Sequence, residues 1–260
     1  MAFRSALPVL LLAALAAAFV LSYSALSAAS AREADAPPVA PAAPLPAPPP
    51  PVLPAPKAKP KPRPDIAVVR RPVPLRARPN GRVIARVQAQ TEFGGRRVMS
   101  VAARRGPWLG VVTPELANGQ LAWVNARNRG LDLRRTAYSL HADLSGRWLE
   151  LRRGGRRIRR ITVAVGRPGS ETPTGRFAVT DKLQGSSFGP YYGCCVLALS
   201  GHQPKLPAGW RGGNRLAIHG TDSPGTIGAA ASAGCLRAAD ADLQVLMRRV
   251  PLGTPVFIRD

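Results

Sequence analysis

Hydrophobic and polar residues alternate along most of the chain, a pattern that predicts strands rather than helices. Over residues 66–128, short apolar runs are separated by turn dipeptides such as Asn80-Gly81 and Gly94-Gly95, which favour tight hairpins. We therefore predict a small β-barrel or sandwich over residues 65–132. Two tryptophans lie inside its apolar runs, where they form either part of the core or the wall of a binding groove: Trp108 and Trp123.

Longer strands are predicted over residues 136–260, the second folded region. Apolar alternation leads up to Gly154-Gly155 and returns after it, which predicts an arginine-rich hairpin. One helix is predicted near the C-terminus, because Asp240 begins a segment with apolar residues at helical spacing and Pro251 ends it. The expected fold class is mainly β, with one or two short helices.

The N-terminal residues have the composition of a targeting segment followed by a spacer. An uninterrupted apolar run over residues 9–21 precedes Ala29-Ser30-Ala31, a small-residue cleavage pattern. Residues 1–31 are therefore predicted to be an export signal, or a membrane anchor if they are not cleaved. Residues 32–64 are rich in proline and alanine, which predicts an extended linker. The folded part is expected outside the cytoplasm, secreted to the cell wall or periplasm or held at the membrane.

The chain carries a formal net charge of +23, with a sequence pI near 11.7. Such a charge suits a polyanionic environment, whether nucleic acid, anionic lipid or anionic cell-wall polymer. Because export separates the folded part from cellular nucleic acid, we expect no nucleic-acid partner, whereas an anionic wall polymer fits. The hairpin arginines either contact such a polymer or protect an exposed strand edge by their charge.

Three cysteines cannot all pair within one exported chain. Cys194 and Cys195 are neighbours, and a bond between them would be strained because adjacent Cα atoms lie about 3.8 Å apart. Their strand-like surroundings predict side chains on opposite faces, one in the core and one toward a cleft. The odd number of cysteines directs the search for a reactive thiol to Cys235.

Cys235 follows His219 by sixteen residues. A thiol attacks an acyl carbon as a thiolate, so it needs a base or a positive field, and then donors for the oxyanion. His219 ends the apolar run "RLAI", Gly234 permits a sharp turn, and the helix predicted after Cys235 would direct its amides toward the sulfur. The spacing alone also fits a buried structural cysteine and an unrelated histidine. No paired ligand spacing is present, so we expect no metal and no cofactor.

The blocks around these residues resemble a known family. "IHGT" followed by "SAGCLR", with "TPTGRF" upstream and "GTPVFI" downstream, is similar to the signature of the L,D-transpeptidase (YkuD-type) catalytic domain. The resemblance extends from residue 140 to the end of the chain. It implies a catalytic domain over residues 136–260, a β-sandwich with one or two short helices. The region of residues 65–132 loosely resembles bacterial SH3-like β-barrels through its two tryptophans.

The resemblance implies a role for each matching residue. Cys235 matches the nucleophile and His219 the general base and acid, with the backbone carbonyl of Gly220 orienting the imidazole. Tyr192 is a candidate for the cleft wall, together with its neighbour Tyr191. Many members carry histidine where this chain has Ala233, and we expect this difference to alter the pocket without abolishing the chemistry. Three further positions match the rest of the motif, which implies roles in loop geometry, oxyanion donation and substrate placement: Ser232, Gly234 and Arg237.

The implied reaction is acyl transfer in the cell wall. A thiolate attacks the third residue of a peptidoglycan stem tetrapeptide and expels the terminal D-Ala, and an amine acceptor then resolves the thioester, commonly to a 3→3 cross-link. Two alternatives stay open. Water can resolve the thioester, giving an L,D-carboxypeptidase or endopeptidase, or the chain is a non-catalytic peptidoglycan-binding protein. The intact set of His219, Gly234, Cys235 and Arg237 argues against the last.

Overall fold

The computed structural model describes residues 65–260, all of which belong to one compact unit. The predicted export segment and linker, residues 1–64, lie outside the described residues. None of the described helices is long and apolar enough to span a membrane. Within this unit, two separate sheets with separate apolar cores lie in residues 65–134, here called the small domain, and in residues 136–260, the large domain.

The small domain contains seven strands: β1 Ile66–Val69, β2 Val73–Arg76, β3 Val83–Val87, β4 Val98–Arg105, β5 Trp108–Val112, β6 Ala122–Asn125 and β7 Leu131–Arg134. They form one antiparallel sheet in the order β3-β2-β6-β5-β4-β1-β7. Trp108 and Trp123 are 9% and 7% exposed, and an arginine guanidinium covers each ring. This burial favours the interpretation of both tryptophans as core residues. An SH3-like assignment stays a prediction.

The large domain contains ten strands: β8 Tyr138–Asp143, β9 Trp148–Arg153, β10 Arg156–Thr162, β11 Val165–Gly166, β12 Gly175–Gln184, β13 Cys195–His202, β14 Arg215–His219, β15 Ala230–Ser232, β16 Leu236–Arg237 and β17 Pro255–Arg259. Eight of them form a mixed sheet in the order β10-β9-β8-β17-β12-β13-β14-β16, and β11 pairs with β15. The β8–β17 and β14–β16 pairs are parallel. The mainly β fold is therefore confirmed.

One α-helix, α1, spans Asp240–Arg249, where the sequence predicts it. Leu243 and Leu246 are buried and pack into the apolar core of the large domain. The helix ends before Pro251, as the sequence predicts. The remaining helical segments within the described residues are 3-10 turns: Gly185–Ser187, Pro190–Tyr192 and Pro224–Thr226.

A buried carboxylate explains part of the arginine-rich hairpin formed by β9 and β10. Glu150 is 1% exposed, and its carboxylate accepts hydrogen bonds from Arg152, Arg157 and Arg160. Burial by itself raises the pKa of Glu150, but these hydrogen bonds outweigh burial and hold the pKa at about 2. Three hairpin arginines therefore belong to an ion-pair cluster within the domain, a role that the sequence analysis did not consider.

Candidate active site

His219 is the last residue of β14 and is completely buried. Its Nδ1 lies 2.6 Å from the backbone carbonyl oxygen of Gly220. A carbonyl oxygen only accepts hydrogen bonds, so Nδ1 carries the proton and Nε2 keeps its lone pair. Among the described residues, Nε2 has no hydrogen-bond partner. The ring is therefore held in the tautomer that can accept a proton through Nε2.

Cys235 lies in the turn between β15 and β16 and is partly exposed. Because β16 pairs in parallel with β14, Arg237 lies opposite His219, and the turn that carries Cys235 returns to the strand that ends in the histidine. The Cys235 Sγ lies 4.0 Å from the backbone carbonyl oxygen of Arg215, the first residue of β14. Cys235 and His219 line the same cleft. The fold thus brings together the two residues that the sequence places sixteen positions apart.

Burial is the main influence on the ionisation of both residues. It raises the pKa of the Cys235 thiol to about 11 and lowers the pKa of the His219 imidazole to about 4. At neutral pH both groups are therefore uncharged, so the resting pair is a thiol and an imidazole rather than a thiolate and an imidazolium. A nucleophilic attack by this sulfur would therefore require transfer of the thiol proton.

The turn that leads to Cys235 is held by the Ser232 side chain. Its Oγ donates to the carbonyl oxygen of Cys235 at 2.6 Å and accepts from the N–H of Gly234 at 3.0 Å. The second bond occupies the Gly234 N–H. This N–H therefore fits a role in forming the turn rather than the predicted role as an oxyanion donor. Gly234 has φ 119°, and a Cβ on it would lie 1.9 Å from Nε2 of Gln203. Both the backbone conformation and the space therefore require glycine.

The prediction that helix α1 begins directly behind the sulfur is wrong. The strand β16 and two further residues separate Cys235 from Asp240, the first residue of α1. The Asp240 carboxylate instead accepts a hydrogen bond from the N–H of Cys194 at 3.0 Å. The β16 pairing explains the difference, because it continues the main sheet beyond Cys235 before the helix can start. The first amides of α1 therefore do not directly follow the thiol.

Aromatic residues form one wall of the cleft. The Tyr192 ring centroid lies 4.9 Å from that of His219, and the Tyr191 centroid lies 5.5 Å from it. Trp210, to which the sequence analysis assigned no role, packs edge-to-face on Tyr191 at 6.1 Å and also lines the cleft. Three large rings thus line the histidine side of the cavity.

Arg237 is 4% exposed and makes no ion pair within the described part of the chain. Its guanidinium carbon lies 5.6 Å from the Tyr191 ring centroid, and its Nε has no hydrogen-bond partner among the described residues. Its charge contributes to the lowered pKa of His219 and opposes the effect of burial on Cys235. A buried, unpaired guanidinium beside the cleft suits an anionic group of a ligand.

Gln203 supports the turn that carries Cys235, a role that no sequence motif indicates. It is 4% exposed, and its Nε2 lies within hydrogen-bond distance of three backbone carbonyl oxygens, those of Ser170, Glu171 and Ala233. The amide therefore joins the loop at Ser170 and Glu171 to the turn at Ala233. These contacts involve only backbone atoms of the partner residues, so no pattern of residue types could have identified them.

Cys194 and Cys195 form a disulfide, so the prediction that they stay apart on opposite faces of a strand is wrong. Strand β13 begins only at Cys195, directly after a turn at Gly193 with φ 57°, and strand alternation does not apply to this pair. The carbonyl oxygen of Cys195 accepts from the N–H of Gly220 at 3.0 Å. The pair thus supports the residue that orients His219, and Cys235 is the free thiol.

The other two histidines have partners away from the reacting pair. His141 stacks on Phe257 at 4.9 Å, and the Nε2 of His202 lies 2.7 Å from the carbonyl oxygen of Pro114 in the small domain. Within residues 65–260, no group of three or more His, Cys, Asp or Glu side chains is arranged to hold a metal ion.

Comparison with known proteins gives matches to the large domain. Residues 137–258 match the family model described as the YkuD L,D-transpeptidase catalytic domain. Proteins named "Putative L,D-transpeptidase YkuD" in Bacillus licheniformis and Bacillus subtilis are 33% and 32% identical over 123 residues. Each match covers 46% of this chain and 65% of the relative, so the chain spans less than two thirds of these relatives. A solved structure of an L,D-transpeptidase from Mycobacterium smegmatis is 18% identical, with a TM-score of 0.37, covering 59% of this chain and 67% of that one.

Proposed function

We propose that the large domain, whose residues 137–258 match the family model described as the YkuD L,D-transpeptidase catalytic domain, transfers a peptidoglycan stem-peptide acyl group through a thioester at Cys235. The observation that carries the proposal is the unpartnered lone pair of His219 Nε2 in the same cleft as the free thiol. A buried imidazole with this tautomer can accept the thiol proton without an ion pair already formed.

The first step forms the thioester. As the Cys235 sulfur attacks the carbonyl carbon of the third stem residue, His219 Nε2 takes the thiol proton. The carbon–sulfur bond forms, and the resulting imidazolium gives its proton to the nitrogen of the departing D-Ala as the peptide bond breaks. The Gly220 carbonyl, 2.6 Å from Nδ1, stabilises the positive charge that His219 carries between these two transfers.

The second step releases the acyl group. An acceptor amine from another stem attacks the thioester, His219 takes a proton from the attacking nitrogen, and the carbon–sulfur bond breaks. The proton then returns to the sulfur, which regenerates the neutral pair. With an amine on the third residue of the acceptor stem, the product is a 3→3 cross-link. The ring wall formed by Tyr191, Tyr192 and Trp210 favours an amine over water because it shields the thioester from solvent.

Arg237 is assigned to substrate placement in this account. Its buried charge has no protein carboxylate as partner among the described residues, and the donor peptide carries carboxylates. A guanidinium pairs strongly with a carboxylate in a dry site. Ser232 and Gly234 act through the shape of the turn that presents the sulfur.

Mass spectrometry of the products tests the proposal. Stem tetrapeptide muropeptides are incubated with the full chain, with Cys235→Ala and with His219→Ala, and His141→Asn serves as the matched histidine control. Dimers with a 3→3 linkage, made by the wild type and the control only, are the expected result. Tripeptide monomers without dimers would mean that water resolves the thioester, so that the reaction is hydrolysis instead of transpeptidation. The absence of any product that depends on Cys235 would refute both reactions.

We also propose that the protein works outside the cytoplasm. The apolar N-terminal run, the cleavage pattern and the Pro/Ala-rich linker support this location, and so does the extracytoplasmic position of the proposed substrate. Fractionation of cells, followed by N-terminal sequencing of the protein, distinguishes a cleaved export signal from a retained anchor. Recovery of the full-length chain in the cytoplasmic fraction would contradict the proposal.

A further inference from the structure

A turn of the small domain contacts the large domain beside the catalytic cleft. In this turn, Thr91–Gly95, the Thr91 N–H donates to the Gly95 carbonyl at 2.8 Å and the Gly94 N–H donates to the Thr91 carbonyl at 3.0 Å. Gly94 has φ 77°, a conformation that glycine adopts without strain. The closed turn presents Glu92 and Phe93 at its tip.

The turn is seated tightly on β12 of the large domain. The Thr91 hydroxyl donates to the Asp181 carboxylate, which is buried. A Cβ on Gly95 would lie 2.6 Å from an oxygen of the same carboxylate. The turn therefore approaches the large domain so closely that a side chain at residue 95 would have to displace Asp181. Such a contact fixes the position of the tip.

Glu92 forms a salt bridge with Arg215. The Arg215 side chain is 17% exposed, and its other nitrogens donate to the Leu199 carbonyl and to the Thr180 hydroxyl. The backbone carbonyl of the same Arg215 lies 4.0 Å from the Cys235 sulfur. Glu92 therefore acts on the residue whose backbone faces the nucleophile, although it belongs to the other domain.

Phe93 contacts the other side of the site through a series of rings. It packs edge-to-face on Phe188 at 6.2 Å, Phe188 lies 5.8 Å from Tyr192, and Tyr192 lies 4.9 Å from His219. Phe93 also lines an apolar groove that shares Tyr192, Gly213 and Arg215 with the catalytic cleft. The two tip residues are thus linked to both members of the pair, Glu92 to Cys235 through Arg215 and Phe93 to His219 through Phe188 and Tyr192.

We propose that Glu92 and Phe93 are positioning residues for the Cys235 reaction, so that the small domain forms part of the active site. Glu92 holds the start of β14 against the sulfur, and Phe93 forms the end wall of the groove in which an uncharged part of the peptide substrate lies. The groove assignment rests on the proposed function, whereas the effect of Glu92 on the thiol does not.

The matched variants are Glu92→Gln, Glu92→Asp and Asp132→Asn in the full chain. Asp132 pairs with Arg70 and Arg134 on the surface of the same domain, so its variant removes a comparable carboxylate away from the cleft.

The readouts are the rate of Cys235 alkylation by iodoacetamide, kcat and KM for a tetrapeptide donor, and the melting temperature. Glu92→Gln is expected to raise the alkylation rate about threefold, because the start of β14 loosens, and to lower kcat about tenfold. Glu92→Asp is expected to recover most of kcat, and Asp132→Asn to behave as wild type.

Phe93→Ala provides an independent readout, with Phe93→Leu as its conservative partner. Loss of the groove wall is expected to raise KM about fivefold with kcat nearly unchanged, and leucine is expected to restore most of the wild-type KM.

Unchanged alkylation and kcat in Glu92→Gln, or an equal loss of kcat in Asp132→Asn, would overturn the role of Glu92. An unchanged KM in Phe93→Ala, with losses only in kcat and in the melting temperature, would overturn the role of Phe93. If the wild type does not process the donor, the proposed function fails, and the alkylation rates still test Glu92.

Discussion

The imidazole Nδ1 of His219 donates a hydrogen bond to the backbone carbonyl of Gly220 at 2.6 Å. This single contact determines which nitrogen can act as the base, because it places the proton on Nδ1 and leaves Nε2 unprotonated. Gly220 is itself held by the carbonyl of Cys195, so the orientation of the base depends on backbone groups rather than on an acidic third residue. Backbone carbonyls do not titrate, and the tautomer is therefore insensitive to pH.

Alkylation of Cys235 by iodoacetamide should rise steeply with pH. Since burial raises the pKa of the thiol to about 11, the thiolate fraction increases about tenfold per pH unit across the neutral and mildly alkaline range. The measurement is the rate of alkylation between pH 6 and 10, with a free cysteine peptide as control. A rate that is already at its plateau below pH 7 would indicate a preformed ion pair and contradict the neutral resting state.

The stability of the folded protein should decrease as the pH falls below the ordinary pKa of histidine. Because the pKa of His219 is lowered to about 4 in the folded state, the unfolded chain binds a proton first, between the ordinary value near 6.5 and about 4. The contribution of His219 to the free energy of unfolding is therefore complete above pH 6.5 and is lost as the pH falls toward 4. Denaturant titrations of the wild type and His219→Gln at both pH values measure it. A pH dependence that is identical in the two proteins would refute this contribution.

Alternating apolar residues and turn dipeptides predict the mainly β fold and the hairpin at Gly154-Gly155, and apolar residues at helical spacing predict helix α1, because these features depend on local periodicity and turn chemistry. His219 and Cys235 could be paired in advance only through the resemblance of the blocks around them. Gln203 could not be predicted, since it binds backbone carbonyls that carry no sequence signature. The Glu92–Arg215 contact joins residues 123 positions apart, a separation at which single-sequence patterns carry no information.

Gly234→Ala should destabilise the protein and reduce activity. The new Cβ would overlap Gln203 at 1.9 Å in a backbone conformation with φ 119°, and the strain is on the order of 1–3 kcal/mol before the overlap is counted. Gly119→Ala is the matched control, because Gly119 has φ 81° and open space around the position of its Cβ. Thermal unfolding and kcat/KM are measured for both variants. If the two lose equal stability, the contact with Gln203 contributes nothing.

The number of titratable thiols tests the disulfide between neighbouring cysteines. With Cys194 and Cys195 bonded and Cys235 free, the denatured chain should expose one thiol without reductant and three after reduction. The double variant Cys194→Ala, Cys195→Ala should expose one thiol under both conditions. Three thiols in the unreduced wild type, isolated from an oxidising compartment, would exclude the bond.

The most direct test of the account is the intact mass of the protein after mixing with a tetrapeptide donor in the absence of an acceptor amine. The account predicts an added mass equal to the donor less D-Ala, located by peptide mapping on Cys235, and absent from Cys235→Ala. Product formation by Cys235→Ala, or an adduct on any other residue of the active wild-type enzyme, would contradict the assignment of Cys235 as the nucleophile.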